Sequence, residues 1–296
     1  MMKKVDRLTG HKGSIYCLTP DQDSAHFFSA GGDGWIARWP LEKGVDGKLI
    51  AEVDDQIFSL LQLPSSHLLA GTMSGNLYFI DPEQPAGTRN ISYHRKGVFN
   101  IELVGGSAVC AGGDGRLSIW SIPEMELEET ILLSHQSLRA IALTPDAQML
   151  AVGSSDHKIY LLHIPSYRII EVLDDAHANS VFTLQFSADG RYLVSGGRDA
   201  HLNIWDINSL RLVHSVAAHW YTVNTVRFRP GQKILATASR DKSIRLWEYP
   251  DLQLIQTLAV QSGEGHSASV NNLIWSHDGK WLVTASDDNT IIRWSD

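Results

Sequence analysis

A seven-residue phrase recurs along this chain and restricts it to an architecture built from repeated units. An Asp opens each clear copy and a Trp closes it six positions later. The five clear copies are Asp33–Trp39, Asp114–Trp120, Asp199–Trp205, Asp241–Trp247 and Asp288–Trp294. Two degenerate copies, Ser74–Ile80 and Asp156–Leu162, fill the gaps, so that the units follow one another every 40 to 47 residues. Seven units of this period account for the chain.

Each unit also carries the signature of paired strands upstream of the phrase. A His lies 20 to 22 positions before the Asp in every unit except the second: His11, His94, His135, His177, His219 and His266. Between His and Asp, runs such as 181–186 and 192–195 are rich in β-branched and aromatic residues and are separated by a polar turn. No stretch of ten or more residues has a clear helical period. The sequence predicts an all-β chain of antiparallel strands.

These residues resemble WD40 repeats, which have this period and form the four-stranded blades of β-propellers. The resemblance covers essentially the whole chain and implies a single domain over residues 1–296, a seven-bladed β-propeller of four-stranded antiparallel blades. The seventh unit reaches only its third strand at 291–296, and residues 3–8 run into the first His as outer strands do. We therefore expect the N-terminal strand to complete blade seven and close the ring, which removes an exposed sheet edge.

The resemblance also implies a buried network that joins the loop His, a Ser or Thr on the second strand, the turn Asp and the third-strand Trp. Trp only donates, a carboxylate only accepts, and imidazole and hydroxyl do both, so the four groups satisfy one another. The matching sets are His11, Ser29, Asp33 and Trp39; His177, Ser195, Asp199 and Trp205; His219, Thr237, Asp241 and Trp247; and His266, Thr284, Asp288 and Trp294.

Blades two to four depart from this arrangement. Blades three and four place Cys110 and Val152 at the hydroxyl position, blade four also lacks the Trp, and blade two lacks the whole set. We expect these three blades to depend more on apolar packing than the other four.

Recurring His, Ser and Asp invite comparison with a hydrolase, but we interpret them as structural. A nucleophile must face a cleft beside an oxyanion hole, whereas these sets are spread round a ring and two have Thr in place of Ser. The sequence contains no GxxxxGK[ST], no HExxH and no paired CxxC motif. We predict no enzyme activity, no catalytic residue, no metal site and no cofactor.

Composition limits the location and the partners. A net charge of -8 argues against a general nucleic-acid coat, because binding to the phosphate backbone relies on Lys and Arg. Cys17 and Cys110 lie in apolar runs without metal-ligand spacing, which predicts buried free thiols and a reducing compartment. No secretory signal and no apolar stretch long enough to span a bilayer is visible. We expect a cytoplasmic protein that does not interact with membranes.

In WD-repeat propellers the narrower face round the central channel commonly holds the partner. The resemblance places two positions of each blade there: the start of the innermost strand and the residue before the turn Asp. The inner-strand set is Tyr16, Phe58, Phe99, Arg139, Phe182, Asn224 and Asn271. The second set is Gly32, Met73, Gly113, Ser155, Arg198, Arg240 and Asp287, and the loop entering blade six adds Trp220 and Tyr221. The additional residues 261–265 lengthen the loop before His266 on the same face.

Two arcs stand out on this predicted face. Blades one to three offer an apolar arc of Tyr16, Phe58, Met73 and Phe99, and blades four to six offer a basic arc of Arg139, Arg198 and Arg240. Aromatic and Arg side chains dominate binding hot spots. The sequence therefore predicts a non-catalytic scaffold that binds a protein or peptide with acidic and apolar residues.

Other interpretations remain open. The aromatics could simply pack into the channel wall, and the Arg side chains could pair with neighbouring carboxylates. A small-molecule or enzymatic site in the central channel would need convergent polar groups, and the channel positions are too apolar and too poor in carboxylates to favour it. Nucleic-acid contact would use Arg198, Arg240 and Trp220, and the net acidity disfavours it. The sequence specifies neither the partner nor the oligomeric state.

Overall fold

Seven four-stranded antiparallel sheets form the blades of a propeller, as the repeats predict. The structure is a computed structural model that describes residues 1–260 and 265–296. Most of the predicted loop 261–265 therefore lies outside the described residues. Six blades use four consecutive strands each, and the seventh takes its outer strand from the start of the chain.

In each of the first four blades, the strands follow one another in sequence from the inner to the outer strand. Blade one comprises β2 (Ile15–Pro20), β3 (His26–Gly31), β4 (Trp35–Pro40) and β5 (Lys48–Glu52). Blade two comprises β6 (Ile57–Gln62), β7 (Leu68–Thr72), β8 (Asn76–Ile80) and β9 (Arg89–Ser92). Blade three comprises β10 (Val98–Val104), β11 (Ser107–Gly112), β12 (Arg116–Ser121) and β13 (Leu127–Leu132). Blade four comprises β14 (Leu138–Leu143), β15 (Met149–Ser154), β16 (Ile159–His163) and β17 (Ile169–Leu173).

The remaining blades follow the same order. Blade five comprises β18 (Val181–Phe186), β19 (Tyr192–Gly197), β20 (His201–Asp206) and β21 (Arg211–Ala217). Blade six comprises β22 (Val223–Phe228), β23 (Ile234–Ser239), β24 (Ile244–Glu248) and β25 (Gln253–Leu258). Blade seven comprises β26 (Val270–Trp275), β27 (Leu282–Ser286), β28 (Ile291–Ser295) and β1 (Lys3–Leu8). A 3-10 turn spans Pro85–Gly87, and no helix among the described residues is long and apolar enough to cross a membrane.

The hydrophobic core lies between the blades. One cluster joins Leu246 of blade six to Trp275 of blade seven, and another joins Phe28 of blade one to Leu60 of blade two. The second strands are buried along almost their whole length, whereas the outer strands are largely exposed. Because each sheet buries its faces against its neighbours, burial of apolar area stabilises the ring as a unit.

The ring closes by the pairing of β1 with β28, as the sequence predicts. Arg293 on β28 is fully buried at this junction, where it forms a two-pronged ion pair with Asp6 of β1. The same guanidinium donates to the carbonyl oxygens of Pro40 and Glu42 in blade one, each at 2.6 Å. One side chain therefore joins the closing strand to both blades at the seam.

We predict that Arg293→Met destabilises the protein by about 3–5 kcal/mol, because it leaves the Asp6 carboxylate without its buried partner. The measurement is urea unfolding followed by circular dichroism. Arg191→Met is the matched control, since it breaks an ion pair with Asp206 whose Arg is 57% exposed, and it should destabilise the protein far less. Equal losses in the two variants would contradict a special role for the seam.

The four predicted His-hydroxyl-Asp-Trp sets all lie within hydrogen-bonding distance. In blade one, the indole N–H of Trp39 donates to Ser29 Oγ at 2.8 Å, and His11 Nε2 lies 2.7 Å from the same oxygen. His11 Nδ1 lies 2.9 Å from Asp33 Oδ2. With the imidazole proton on Nδ1, the hydroxyl donates to Nε2 and the imidazole donates to the carboxylate. Ser29 is fully buried, so its hydroxyl has no access to a substrate.

The carboxylates of these networks are strongly stabilised in their charged form. Burial opposes ionisation of Asp33, but the hydrogen bond and charge of His11 and the amide of Lys12 outweigh it and lower the pKa of the carboxyl. The same balance holds the pKa values of Asp199, Asp241 and Asp288 below their usual range. These carboxylates therefore stay ionised, and they fix the loops whose backbone N–H groups donate to them.

Blade three also has a complete network, contrary to the expectation from Cys110. Ser118 supplies the hydroxyl: His94 Nε2 lies 2.8 Å from its Oγ, and the Trp120 indole donates to it at 2.8 Å. Ser118 on β12 is the direct cross-strand partner of Cys110 on β11, so either strand can place a hydroxyl in this space. The expectation was wrong because it considered one strand instead of the pair.

Blade four uses different groups at the same place. Ser134, not His135, takes the imidazole position, and its hydroxyl donates to Asp156 Oδ2 at 2.6 Å, while His135 is exposed. Tyr160, the cross-strand partner of Val152, donates to the same carboxylate oxygen at 2.6 Å. Blade two has no such network in its described residues and instead packs Val53 and Ala70 into an apolar cluster.

We predict that Ser118→Ala destabilises blade three by about 1–3 kcal/mol, because the buried Trp120 indole and His94 lose their common partner. Cys110→Ser in the same chain should restore most of this loss, since it recreates the arrangement of blade one, where Ser29 on β3 faces Ala37 on β4. Urea unfolding of the wild type, the single variant and the double variant provides the measurement. A double variant less stable than Ser118→Ala would refute the idea that a hydroxyl on either strand can serve this network.

Candidate functional site

The inner strands of all seven blades line a central channel with a volume of about 830 Å3. Near its start, each inner strand has one residue that the ladder to the second strand skips. A bulge of this kind re-aims a side chain. The skipped residues are the predicted inner-strand set, and all seven line the channel: Tyr16, Phe58, Phe99, Arg139, Phe182, Asn224 and Asn271.

Five of these side chains form a continuous row, which we call the stacked row: Tyr16, Phe58, Phe99, Arg139 and Phe182. The Tyr16 and Phe58 rings stack with centroids 4.5 Å apart, and Phe58 meets Phe99 edge to face at 5.7 Å. The Arg139 guanidinium carbon lies 4.0 Å from the Phe99 centroid and 5.3 Å from that of Phe182. Arg139 of the predicted basic arc therefore joins the aromatic side chains of the predicted apolar arc in one surface.

Arg139 is held in place on both sides. Phe99 and Phe182 belong to the blades that flank blade four, and Arg139 Nε donates to Ser155 Oγ at 3.3 Å. The terminal nitrogens of Arg139 have no hydrogen-bond partner or ion pair among residues 1–260 and 265–296. Burial and the nearby charge of Arg198 lower the pKa of this guanidinium. The result is an ordered, partly desolvated guanidinium with unused donors.

Five further residues that the sequence predicts at the rim of this face are exposed, and two of them are basic. Arg198 and Arg240 are exposed, and no hydrogen bond or ion pair involves either side chain within the described parts of the chain. Trp220 is 82% exposed, Tyr221 is 60% exposed and Met73 is 50% exposed. These exposures are large for apolar side chains, and the adjacent Trp220 and Tyr221 form the kind of exposed apolar group that marks interaction surfaces.

The network of blade six positions part of this rim. The backbone N–H of Trp220 donates to Asp241 Oδ2 at 3.1 Å, the carboxylate that His219 also contacts. The backbone N–H of Arg240 donates to the Thr222 carbonyl at 3.1 Å. The backbones of Trp220 and Arg240, two predicted contact residues, are therefore fixed by hydrogen bonds within blade six.

Asn224 and Asn271 differ from the rest of the inner-strand set. The Asn224 amide donates to the Val270 carbonyl at 2.8 Å, across the boundary between blades six and seven. The Asn271 amide donates to the Ile15 carbonyl at 3.0 Å and to Asp287 Oδ1 at 2.7 Å. These donors are already used between blades, so we now interpret both residues as ties in the ring.

An acidic group on blade one is held by a guanidinium. Asp21, Asp23 and His26 have potential ligand atoms within 4.8 Å of one another. Arg38 donates to Asp21 at 2.6 Å and to Asp23 at 2.5 Å, and His26 Nδ1 lies 2.6 Å from Asp23. The group is an ion-pair network in which Arg38 already donates to both carboxylates.

Two charged side chains that were not predicted from the sequence lie deeper in the channel. Glu102 of blade three and Arg227 of blade six each lie four residues after the first residue of their inner strand, and both line the cavity. Burial raises the pKa of Glu102 to about 7, against the attraction of Arg227, and burial lowers the pKa of Arg227. The signal available in the sequence was a charge at an inner-strand position that is uncharged in the other blades.

Two family models match this chain. The model described as "WD domain, G-beta repeat" matches residues 2–39, 210–248 and 254–295. The model described as "Anaphase-promoting complex subunit 4 WD40 domain" matches residues 141–228. Together they cover more than half of the chain and include parts of blades one, four, five, six and seven.

Curated proteins and a solved structure are similar to the chain. Actin-interacting protein 1 of Caenorhabditis elegans is 24% identical over 97% of this chain and 47% of its own length. WD repeat-containing protein 90 of Xenopus tropicalis is 28% identical over 55% of this chain, which spans 9% of that protein. The WD40 β-propeller domain of Doa1 superposes with a TM-score of 0.87 at 16% identity, covering 100% of this chain and 97% of that one, and shows the fold alone. From its repeats, its blades and these matches, the chain belongs to the WD40-repeat family.

Proposed function

We propose that this protein is a non-catalytic scaffold that binds a protein or peptide partner at the mouth of its channel. The supporting observation is Arg139, whose guanidinium lies over two aromatic rings while its terminal N–H groups have no partner among the described residues. A planar guanidinium held in this way matches a carboxylate, which can accept two parallel hydrogen bonds. WD40 propellers are commonly protein-interaction scaffolds and are generally not enzymes.

The surroundings of Arg139 indicate the chemistry of the partner. Tyr16 and Phe58 offer a stacked aromatic surface for an apolar side chain, and Met73 and Trp220 extend apolar area outside it. Arg198 and Arg240 add positive charge on a protein with a net charge of -8. A segment with an apolar anchor beside acidic residues would satisfy both parts of the surface.

We also propose a cytoplasmic location. Cys17 and Cys110 are free and buried, and burial raises the pKa of both thiols, which keeps them in the unreactive protonated form. Unpaired cysteines are typical of proteins from reducing compartments.

We predict that Arg198→Glu/Arg240→Glu abolishes capture of partners from native lysate, because it reverses the charge of the exposed basic rim. The measurement is quantitative affinity capture, with thermal melts to establish that the variant is folded. Arg211→Glu/Lys233→Glu is the matched control, since it makes the same charge change at exposed residues of an outer strand and an interstrand turn.

If Arg198→Glu/Arg240→Glu still captures the same partners, the mouth of the channel is not the binding surface. Capture that is lost equally in the control would show a general charge effect instead. Captured nucleic acid whose binding falls by roughly 10³-fold or more between 50 and 200 mM salt would support the phosphate-binding alternative.

We further predict that Arg139→Lys weakens binding of the isolated partner by about tenfold, because it keeps the charge and removes the planar pair of donors. Isothermal titration calorimetry measures the affinity, and Arg211→Lys provides a conservative control on the outer strand. An unchanged affinity in Arg139→Lys would mean that this guanidinium does not contact the partner's carboxylate.

A further inference from the structure

The middle of the channel contains two opposite charges on separate walls. Glu102 and Arg227 occupy the same register position of their inner strands, in blades three and six, which are as far apart as two blades in a ring of seven can be. Neither forms an ion pair within 4.0 Å to a described residue, and Arg227 donates one terminal N–H to the Val226 carbonyl at 2.8 Å. A positive and a negative group therefore face the same cavity without contacting each other.

The wall between these two charges offers little compensation. The equivalent positions of the other five blades also line the channel and carry no charge: Thr19, Leu61, Ala142, Gln185 and Ile274. The Gln185 side-chain oxygen is already used, because it accepts the Phe228 N–H at 2.8 Å. Neither charge has a close partner of opposite sign in this wall, so an ion pair does not account for the arrangement.

Two further polar atoms in the channel wall lack partners. Asn272 Oδ1 and Trp275 Nε1 are buried without a hydrogen bond, and both residues belong to β26 and line the same cavity. One is an acceptor and the other a donor. Both atoms are shielded from the open channel by the surrounding fold, so they do not contribute to a ligand site there.

We propose that the middle of the channel binds a small zwitterion, with its anionic group on Arg227 and its cationic group on Glu102. The two protein charges demand opposite charges at the two ends of the ligand, and the uncharged wall between them, which includes Leu61, Ala142 and Ile274, fits a short aliphatic spacer. The cavity of about 830 Å3 has the size of a small-molecule site. This site lies deeper than the stacked row and does not depend on the scaffold function proposed above.

The test uses three aminocarboxylates of increasing length, namely glycine, 4-aminobutyrate and 6-aminohexanoate, titrated calorimetrically into the whole chain. The matched probes are the singly charged analogues of the best binder, the carboxylate without the amine and the amine without the carboxylate. We expect one zwitterion to bind about tenfold or more tightly than either analogue, because only it satisfies both charges. Equal binding of zwitterion and analogues, or no binding by any of them, overturns the proposal.

Glu102→Gln and Arg227→Gln should each remove the preference for the zwitterion. The affinity of the wild type should also fall as the pH drops from 8 to 6, because the pKa of Glu102 is raised to about 7 and its protonated form no longer attracts an amine. Glu102→Gln should abolish this pH dependence. If this variant still binds the zwitterion more tightly than the singly charged analogues, Glu102 is not the group that binds the amine. Arg198→Glu/Arg240→Glu should bind the zwitterion normally, so failure of this site and failure of the mouth are distinguishable.

Discussion

Each blade buries its faces against the blades on either side, so the stability of every sheet depends on closure of the ring. The apolar clusters cross blade boundaries, as between Leu246 and Trp275. At the seam, closure of the ring depends on β1, which pairs with β28 from the opposite end of the sequence. The buried Arg293 guanidinium bonds to Asp6 and to two carbonyl oxygens of blade one, so directional hydrogen bonds add to the apolar packing at the seam. A hydrogen-bonded ion pair specifies one alignment of the closing strand, which apolar packing alone would do less strictly.

The architecture could be predicted from the sequence because its signals repeat. Seven units in one register determine the number of blades, and the bounds 3–8 of the closing strand follow from its similarity to the outer strands. The four regular networks followed for the same reason. The sequence did not predict the roles of Ser118, Ser134 and Tyr160. Each supplies a group that is missing from the usual position of the network, and it does so from another sequence position that comes close only in the folded sheet. Such exchanges depend on cross-strand pairing, which a repeat alignment does not contain.

The channel surfaces were partly predictable. The bulge at the start of each inner strand explains why the same position faces the mouth in every blade. The sequence could not show that Arg139 lies between Phe99 and Phe182, or that the Asn224 and Asn271 amides are used to tie blades together. Those outcomes depend on which side chains from different blades meet. The charges of Glu102 and Arg227 are similarly unremarkable in sequence and become unusual only when both face one cavity.

The position of the Ser118 hydroxyl has a consequence for how such repeats diverge. Blade one carries its hydroxyl on the second strand and blade three carries it on the third, at the directly paired position. An ancestral blade with Ser at both positions could lose either one and keep its His and Trp satisfied. Lineages can therefore move the hydroxyl between strands in two substitutions without passing through an unbraced protein. In this fold, the effect of replacing the residue at one of these strand positions therefore depends on the residue directly opposite it.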